Sequence, residues 1–258
     1  HRDLHSFPTR RSSDLAPVVL VTGAARRVGA EIARHLHAAG ARVVLHCRRS
    51  GAEAEALAAG FNAQRPDSAR VLQADLLDSV VLPGLVEQAV AAFGRLDGLV
   101  NNASSFFPTA LGEIDEAAWF DLMGSNLKAP LFLSQAAAPY LRESRGGIVN
   151  IVDIHAERPL KGYSVYCAAK AGLLGLTRAL AVELAPEVRV NGVSPGAIEC
   201  PDDGQFPPEE RDAIVRHTLL GRVGSPADIA RSVVFLLLEA PYITGQILAV
   251  DGGRSAHL

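Results

Sequence analysis

Short apolar segments alternate with amphipathic segments from Ala16 onward, and this alternation constrains the fold more than any other feature of the sequence. Residues 17–21 (PVVLV) and 42–46 (RVVLH) are apolar and β-branched, which is typical of buried parallel strands. A glycine-containing turn and an amphipathic stretch ending at Gly40 lie between them. The same order continues along the chain and predicts right-handed βαβ units on one parallel sheet.

The predicted elements cover most of the chain. Strands are predicted at residues 17–21, 42–46, 69–74, 96–100, 147–152, 188–193 and 246–250. Helices are predicted at residues 28–39, 52–62, 80–93, 164–184 and 227–238, with two more between residues 115 and 144. Ligands of such sheets bind beyond the carboxyl ends of the strands, so functional residues are expected there. The irregular segment 197–208 is too short to separate two domains and is interpreted as a mobile lid over the site.

Composition excludes several function classes. The 25 basic and 28 acidic residues nearly balance, which gives no electrostatic basis for binding nucleic acid or an anionic membrane. Cysteines 47, 167 and 200 are widely spaced and the histidines lack metal-ligand spacing, so no metal site or disulfide framework is predicted. Without a disulfide framework, a reducing cytoplasmic location is expected. No apolar run reaches the roughly 18 residues of a membrane span.

The first fifteen residues, HRDLHSFPTRRSSDL, differ from the rest of the chain. They show neither a helical nor a strand period, and no apolar stretch of a secretory signal follows their arginines. We interpret residues 1–15 as a non-native or disordered extension that resembles translated adapter or read-through sequence; a short natural basic arm is the alternative. Residues 16–258 are predicted to form a single domain.

A glycine-rich turn, TGAARRVG at residues 22–29, connects the first predicted strand to the first helix. Gly23 permits the tight turn, and Gly29 lets the start of the helix pack close to the sheet. The exposed N–H groups of that helix start can bind a pyrophosphate. Such a turn occurs alone in many proteins, so its position between strand and helix carries the argument.

The end of the second predicted strand indicates which dinucleotide binds. An NAD site usually has an acidic residue there for the ribose hydroxyls, whereas this chain has His46, Arg48, Arg49 and Ser50. With Arg27 nearby, these side chains predict a site for the 2′-phosphate of NADPH, because guanidinium groups match phosphate oxygens. A solvated basic turn is the alternative. Asp75 follows the third strand, where it either caps the next loop or contacts the adenine.

Tyr166 and Lys170 are spaced by four on the predicted helix 164–184 and therefore share one face. A free tyrosine has a pKa near 10, and a nearby ammonium group is expected to lower that pKa by stabilising the phenolate. The pair can then donate a proton to an atom that has just received hydride. The spacing alone arises by chance in many surface helices.

The motifs together resemble the short-chain dehydrogenase/reductase superfamily over nearly all of residues 16–254. They are TGxxxxxG at 22–29, NNA at 101–103, Asn126, YxxxK at 166–170, and Pro195-Gly196. The resemblance implies an α/β, Rossmann-type three-layer sandwich with a doubly wound, seven-stranded parallel sheet. It also implies a homotetramer and a proton relay through Asn126, Tyr166 and Lys170.

Departures from the general pattern resemble the pteridine reductases, including bacterial dihydromonapterin and dihydrofolate reductases. Asp153 stands where most members carry serine, and Ser104-Ser105-Phe106 follows NNA. By this resemblance Phe106 stacks on a pterin, Ser104 contacts cofactor phosphate and pterin, Tyr163 lines the pocket, and Asp153 acts with Tyr166 in protonation. The cofactor-binding residues that the resemblance and the turn imply are Gly23, Arg27, Val28, Gly29, His46, Arg48, Arg49, Ser50, Asp75, Leu76, Asn102, Ala103, Ser104, Tyr166, Lys170, Pro195 and Gly196.

The sequence therefore favours an NADPH-dependent oxidoreductase that reduces a C=N bond of a pterin or dihydrofolate, with Tyr166 as proton donor and a place in folate metabolism. An NADPH-dependent carbonyl reductase acting on 3-oxoacyl thioesters or sugars is the alternative, in which Asp153 only keeps a hydrogen bond to Tyr166. Phe106 and Tyr163 are then packing residues. A non-catalytic nucleotide sensor is a third class. His155 is interpreted as a loop residue with an ordinary hydrogen bond.

Overall fold

A computed structural model describes residues 16–199 and 208–256 of the chain. Their strands form a seven-stranded sheet in the order β3-β2-β1-β4-β5-β6-β7, in which every neighbouring pair is parallel. The strands are β1 Val18–Val21, β2 Arg42–Cys47, β3 Ala69–Gln73, β4 Gly98–Asn101, β5 Gly147–Ile151, β6 Arg189–Pro195 and β7 Ile247–Val250. This confirms the predicted doubly wound sheet. Residues 1–15 and most of the predicted lid, residues 200–207, lie outside the described residues.

Eight α-helices flank the sheet in the described ranges. They are α1 Arg27–Ala38, α2 Gly51–Gln64, α3 Leu82–Phe93, α4 Glu116–Met123, α5 Ala129–Ser144, α6 Ser164–Leu184, α7 Pro208–Arg216 and α8 Pro226–Val234. Two wide helical turns, Gly124–Lys128 and Phe235–Glu239, follow α4 and α8 and hold i→i+5 hydrogen bonds. Neither these turns nor α7 were predicted from the sequence. The predicted α3 began two residues early, before the Pro83 that occupies the first turn.

The core has two layers, one on each face of the sheet. On one face, β1 and β4 side chains pack against Leu85 of α3, Leu133 of α5 and Leu180 of α6. On the other face, Ile32 of α1 and Ile229 of α8 pack against the sheet together with α2. Because both faces are covered, the strands are nearly continuous apolar runs, as the sequence pattern indicated. The order of the strands reverses between β1 and β4, which opens a crevice at the carboxyl edge of the sheet.

One helix, α6, is long and apolar enough to cross a membrane by length and mean hydropathy. The helix is not an uninterrupted apolar run in the sequence, because Lys170 and Thr177 interrupt it, and it was therefore not predicted as a span. Half of that apolar window is buried inside the protein (50%), where α6 packs on the sheet. The helix therefore has the burial of a core helix in a layered fold.

Candidate active site

A cavity of about 920 Å³ lies at the carboxyl edge of the sheet and runs from the end of β2 past β5 to the turn after β7. Its lining includes all but two of the residues predicted for the site. They are Gly23, Arg27, Val28, Gly29, His46, Arg48, Arg49, Ser50, Asp75, Leu76, Asn102, Ala103, Ser104, Phe106, Asp153, Tyr166, Lys170, Pro195 and Gly196. Asn126 and Tyr163 are the two that pack behind the lining of this cavity. The fold thus brings residues from six different strand ends to one elongated site.

The glycine turn after β1 is closely packed against the end of β4. Gly23 has a φ of +63°, in the left-handed region that favours glycine. A Cβ atom on Gly29 would overlap the Gly23 carbonyl oxygen, so only glycine fits at this position in the first turn of α1. The Asn102 side-chain amide donates a 2.9 Å hydrogen bond to the Thr22 carbonyl and holds the turn from the other side. The first N–H groups of α1 consequently face the cavity without a side-chain cap.

His46 is buried and connects this turn to the next strand. Its Nδ1 accepts a 3.3 Å hydrogen bond from the Gly23 N–H, and its Nε2 lies 3.2 Å from the Ala74 carbonyl oxygen. These partners require a hydrogen on Nε2 and none on Nδ1. Burial lowers the pKa of His46, which keeps the ring neutral near pH 7. Because both ring nitrogens bond the protein itself, the His46 ring adds no positive charge to the predicted 2′-phosphate site.

Cationic side chains cluster at the end of the cavity beside β2. Arg48 forms a 2.8 Å ion pair with Asp75, and both side chains are a little over two-fifths exposed. Asp75 also accepts a hydrogen bond from the Leu77 N–H. It therefore caps this loop, which is one of the two roles predicted for it. Arg49 is exposed and has no carboxylate within ion-pair distance among residues 16–199 and 208–256. Arg26, which the sequence analysis did not select although it precedes Arg27, also lines the cavity and lies 3.9 Å from Glu53.

Tyr166 is buried near the middle of the cavity, and its hydroxyl donates a 2.8 Å hydrogen bond to Oδ2 of Asp153. The other carboxylate oxygen accepts from the His155 N–H at 2.8 Å, which fixes the orientation of the carboxylate. Burial raises the pKa of the Tyr166 phenol well above its usual value, and the charge of Asp153 raises it further. The prediction that the ammonium group of Lys170 lowers the tyrosine pKa is therefore wrong.

Lys170 is the cation that was expected to lower the pKa of Tyr166. Its ammonium group donates a 2.9 Å hydrogen bond to the Ile151 carbonyl and lies 5.7 Å from the centre of the Tyr166 ring. Burial lowers the pKa of Lys170 to about 8. The ammonium group is therefore close to the phenol but is opposed by the burial of both side chains and by the Asp153 charge.

Asn126 lies in the wide turn Gly124–Lys128 and is completely buried. Its amide donates 2.9 Å hydrogen bonds to the carbonyls of Leu122 and Ser105, and its Oδ1 accepts from the Ser104 hydroxyl at 2.6 Å. The wide turn and the loop after β4 are joined in this way. Neither Tyr166 nor Lys170 shares a direct hydrogen bond with Asn126 in the described residues, and the relay through the three residues stays a prediction.

Three aromatic rings form a cluster beside the catalytic pair. Phe106 stacks on Tyr163 with ring centres 4.6 Å apart and planes at 13°. Its edge meets Tyr166 at 4.8 Å and 76°. Because the stack leaves no space for a further ring between Phe106 and Tyr163, Tyr163 supports Phe106 from behind and only Phe106 faces the cavity.

The end of the cavity beside the turn after β7 contains residues that were not predicted from the sequence. Ala213, Ile214 and His217, in or just after α7, line it together with Arg254, which follows β7. The sequence offered little signal for α7, because its apolar residues form a short run without a helical period. His155 also lines the cavity, and its Nδ1 lies 2.8 Å from the Arg158 carbonyl oxygen, as expected of a loop histidine. No three His, Cys, Asp or Glu side chains of the described chain are placed to hold a metal ion.

Comparisons with known proteins show which proteins this chain is similar to. A family model described as "Enoyl-(Acyl carrier protein) reductase" matches residues 23–255. "Pteridine reductase 1" of Leishmania tarentolae is 42% identical over 284 residues, which covers 95% of this chain and 98% of that protein. "3-oxoacyl-[acyl-carrier-protein] reductase FabG" of Staphylococcus aureus is 36% identical over 237 residues, covering 91% and 96%. "(2S)-[(R)-hydroxy(phenyl)methyl]succinyl-CoA dehydrogenase subunit BbsD" of Thauera aromatica is 36% identical over 243 residues, covering 92% and 96%.

Proposed function

Because the chain belongs to the short-chain dehydrogenase/reductase family, whose members are oxidoreductases that use a nicotinamide cofactor, we propose that it is an NADPH-dependent pteridine reductase. The observation that carries this proposal is the pairing of Tyr166 with Asp153 under the edge of Phe106. A carboxylate on the proton donor and a flat aromatic wall suit a ring rich in N–H and C=O groups. The relative named pteridine reductase supports the same substrate class.

The residues at the β1 and β2 ends fit a dinucleotide with a 2′-phosphate. The close packing at Gly29 leaves uncapped N–H groups of α1 facing the cavity, which is the environment that a pyrophosphate needs. Arg49 is unpaired among the described residues, and Ser50 at the start of α2 makes no side-chain capping hydrogen bond. Arg26, Arg27, Arg49 and Ser50 would bind the 2′-phosphate, while Arg48 is held by Asp75 beside them.

Reduction of a C=N bond adds hydride to carbon and a proton to nitrogen. NADPH, when bound, supplies the hydride. Tyr166 holds the proton on its hydroxyl, which is turned toward Asp153 in this structure and must turn toward the substrate nitrogen to donate it. The Asp153 carboxylate orients the Tyr166 hydroxyl and disfavours a phenolate, so the Tyr166 oxygen regains a proton from solvent after it donates one.

The second candidate is a carbonyl reductase acting on a 3-oxoacyl thioester, which the relatives from Staphylococcus and Thauera favour. It uses the same Tyr166 and Lys170, but leaves the Asp153 carboxylate and the Phe106 wall without a role. We therefore rank it second. The homotetrameric assembly, the cytoplasmic location and the single domain at residues 16–258 stay predictions.

The loss of NADPH absorbance with four substrates offered in parallel tests the proposal. The substrates are 7,8-dihydrobiopterin, dihydromonapterin, dihydrofolate and an acetoacetyl thioester, each measured from mildly acidic to neutral pH. Turnover of one or more pterins at far higher kcat/KM than the thioester is expected. Preference for the thioester, or turnover of none of the pterins, would overturn the assignment.

A further inference from the structure

Arg254 is a charged residue of the cavity that the chemistry above does not use. It begins the short helical turn Arg254–Ala256 after β7, is half-buried, and lines the cavity. No carboxylate in residues 16–199 or 208–256 lies within ion-pair distance of its guanidinium group. The neighbouring Asp251 carboxylate is already bonded to the backbone N–H groups of Gly253 at 2.9 Å and Ser255 at 2.7 Å. The positive charge is therefore available to a ligand.

The strand order shows at which end of the cavity the Arg254 charge lies. β2, which carries Arg49 at its end, is five strands away from β7, or about 24 Å at roughly 4.8 Å per strand. β5, which leads into Asp153, is two strands away, or about 10 Å. Arg254 is thus too far from the phosphate pocket to bind the 2′-phosphate, and lies beyond the catalytic pair on the opposite side.

The position of the turn is fixed by close packing of β7 on β6. The Gly196 N–H donates a 3.1 Å hydrogen bond to the Val250 carbonyl. A Cβ atom on Gly196 would lie 2.7 Å from Asp251 Cα, so the backbone after β7 is in direct contact with the end of β6. The backbone that leads into Arg254 is consequently held in place. Ala213 and Ile214 of α7 also line the cavity as apolar walls, and the segment after α7 packs against this turn through the hydrogen bond from Leu220 N–H to the Gly252 carbonyl.

We propose that Arg254 binds a carboxylate on the tail of the substrate, and that the preferred substrate is a pterin with an aryl-carboxylate tail rather than one with a neutral polyol tail. This inference rests on the proposed function and specifies its substrate class. A guanidinium group binds a carboxylate through two parallel charge-assisted hydrogen bonds, whereas hydroxyl groups offer it weaker, neutral ones. The apolar walls of α7 suit a flat aryl linker between the pterin and the carboxylate.

The test compares 7,8-dihydrofolate, which has an aryl-glutamate tail, with 7,8-dihydrobiopterin, whose tail is neutral. Arg254→Gln should raise the KM for dihydrofolate about tenfold and leave its kcat within about twofold, because the interaction is away from the reacting bond. The KM for dihydrobiopterin should change much less. Arg254→Lys should recover most of the affinity, since it keeps the charge. Arg178→Gln, on the exposed side of α6, is the matched control.

Salt provides a second readout that a structural role of Arg254 would not produce. The KM for dihydrofolate should rise with ionic strength in the wild type and much less in Arg254→Gln. Equal losses for the two substrates, or an unchanged KM for dihydrofolate, would overturn the inference while the wild-type turnover of dihydrobiopterin still upholds the reductase. If the wild type reduces neither pterin, the proposed function fails and this inference with it.

Discussion

The hydroxyl of Tyr166 and the carboxylate of Asp153 share a 2.8 Å hydrogen bond in a buried part of the cavity. Serine at position 153 would donate or accept a hydrogen bond there but would carry no charge. The carboxylate instead raises the pKa of a phenol that burial already makes reluctant to ionise. The Tyr166 hydroxyl therefore keeps its proton near neutral pH and can donate it to a substrate, while Asp153 accepts a hydrogen bond from that hydroxyl.

Replacing Tyr166 with phenylalanine removes the proton donor and keeps the packing of the ring against Phe106. We expect turnover of the preferred pterin to fall by about 10²-fold or more, as for the loss of a general acid. The dissociation constant for NADPH should change little, which fluorescence titration can measure. Tyr242→Phe, at a fully exposed tyrosine, is the control. Activity near the wild-type level in Tyr166→Phe would exclude Tyr166 as the donor.

Replacing Asp153 with asparagine keeps the shape of the side chain and removes its charge. Because a neighbouring negative charge disfavours the phenolate, the pKa of Tyr166 should fall in Asp153→Asn relative to the wild type. The alkaline limb of the kcat/KM profile should move to lower pH, and pterin turnover should drop by about tenfold or more. An alkaline limb that stays in place would show that Asp153 does not act through Tyr166.

Much of this fold follows from the sequence because the central strands are buried apolar runs and the glycine turn after β1 has a local steric cause. The α7 helix does not follow, since its first residues are charged and its apolar residues 213–215 are consecutive. The wide turn at Gly124–Lys128 is equally hidden, because i→i+5 hydrogen bonding leaves no mark on the period of the apolar residues. Residues 115–144 were therefore predicted as two ordinary helices.

The candidate site was predictable where a residue's role is local and not where it depends on packing between distant segments. Gly23 and Gly29 were identified from steric requirements within one turn. The bond from Gly23 to His46 and the Tyr163 support behind Phe106 arise from contacts across the fold, and spacing along the chain cannot show them. The tyrosine pKa was predicted in the wrong direction for the same reason, since its shift is dominated by burial.

Lys170 is expected to lower the stability of the cofactor-free protein at neutral pH. Its pKa is about 8 when folded and 10.5 ordinarily, so the folded state binds the proton less tightly and charging the buried amine costs up to about 3 kcal/mol. This penalty is fully present below pH 8 and is relieved as the pH rises toward 10.5, because the unfolded chain then binds more protons.

Lys170→Met should therefore melt a few degrees higher than the wild type at pH 7, even after about 1 kcal/mol is lost with the hydrogen bond to the Ile151 carbonyl. The advantage should shrink at about pH 9.5, and the variant should be inactive. Thermal melts without cofactor at the two pH values provide the measurement. A variant less stable than the wild type at pH 7 contradicts this account of the Lys170 environment.

Arg49 is expected to discriminate between the two nicotinamide dinucleotides. Its side chain lies at the phosphate end of the cavity without a carboxylate partner in the described ranges, whereas Arg48 is paired with Asp75. Arg49→Ala should raise the KM for NADPH about tenfold, which is the loss of one charge-assisted contact, and should leave the KM for NADH nearly unchanged. Steady-state kinetics with both cofactors, with Arg178→Ala as control, decide this. Equal losses would place the 2′-phosphate elsewhere.

His46 should show the opposite pattern, because it acts through the glycine turn rather than through the 2′-phosphate. His46→Phe removes the acceptor for the Gly23 N–H and the donor to the Ala74 carbonyl, so the turn that faces the pyrophosphate loses its support. The KM values for NADPH and NADH should rise together, by about tenfold each. His46→Gln, which retains a donor and an acceptor, should lose less, and melting curves check that both variants fold. A loss confined to NADPH would mean that the His46 ring contacts the 2′-phosphate itself.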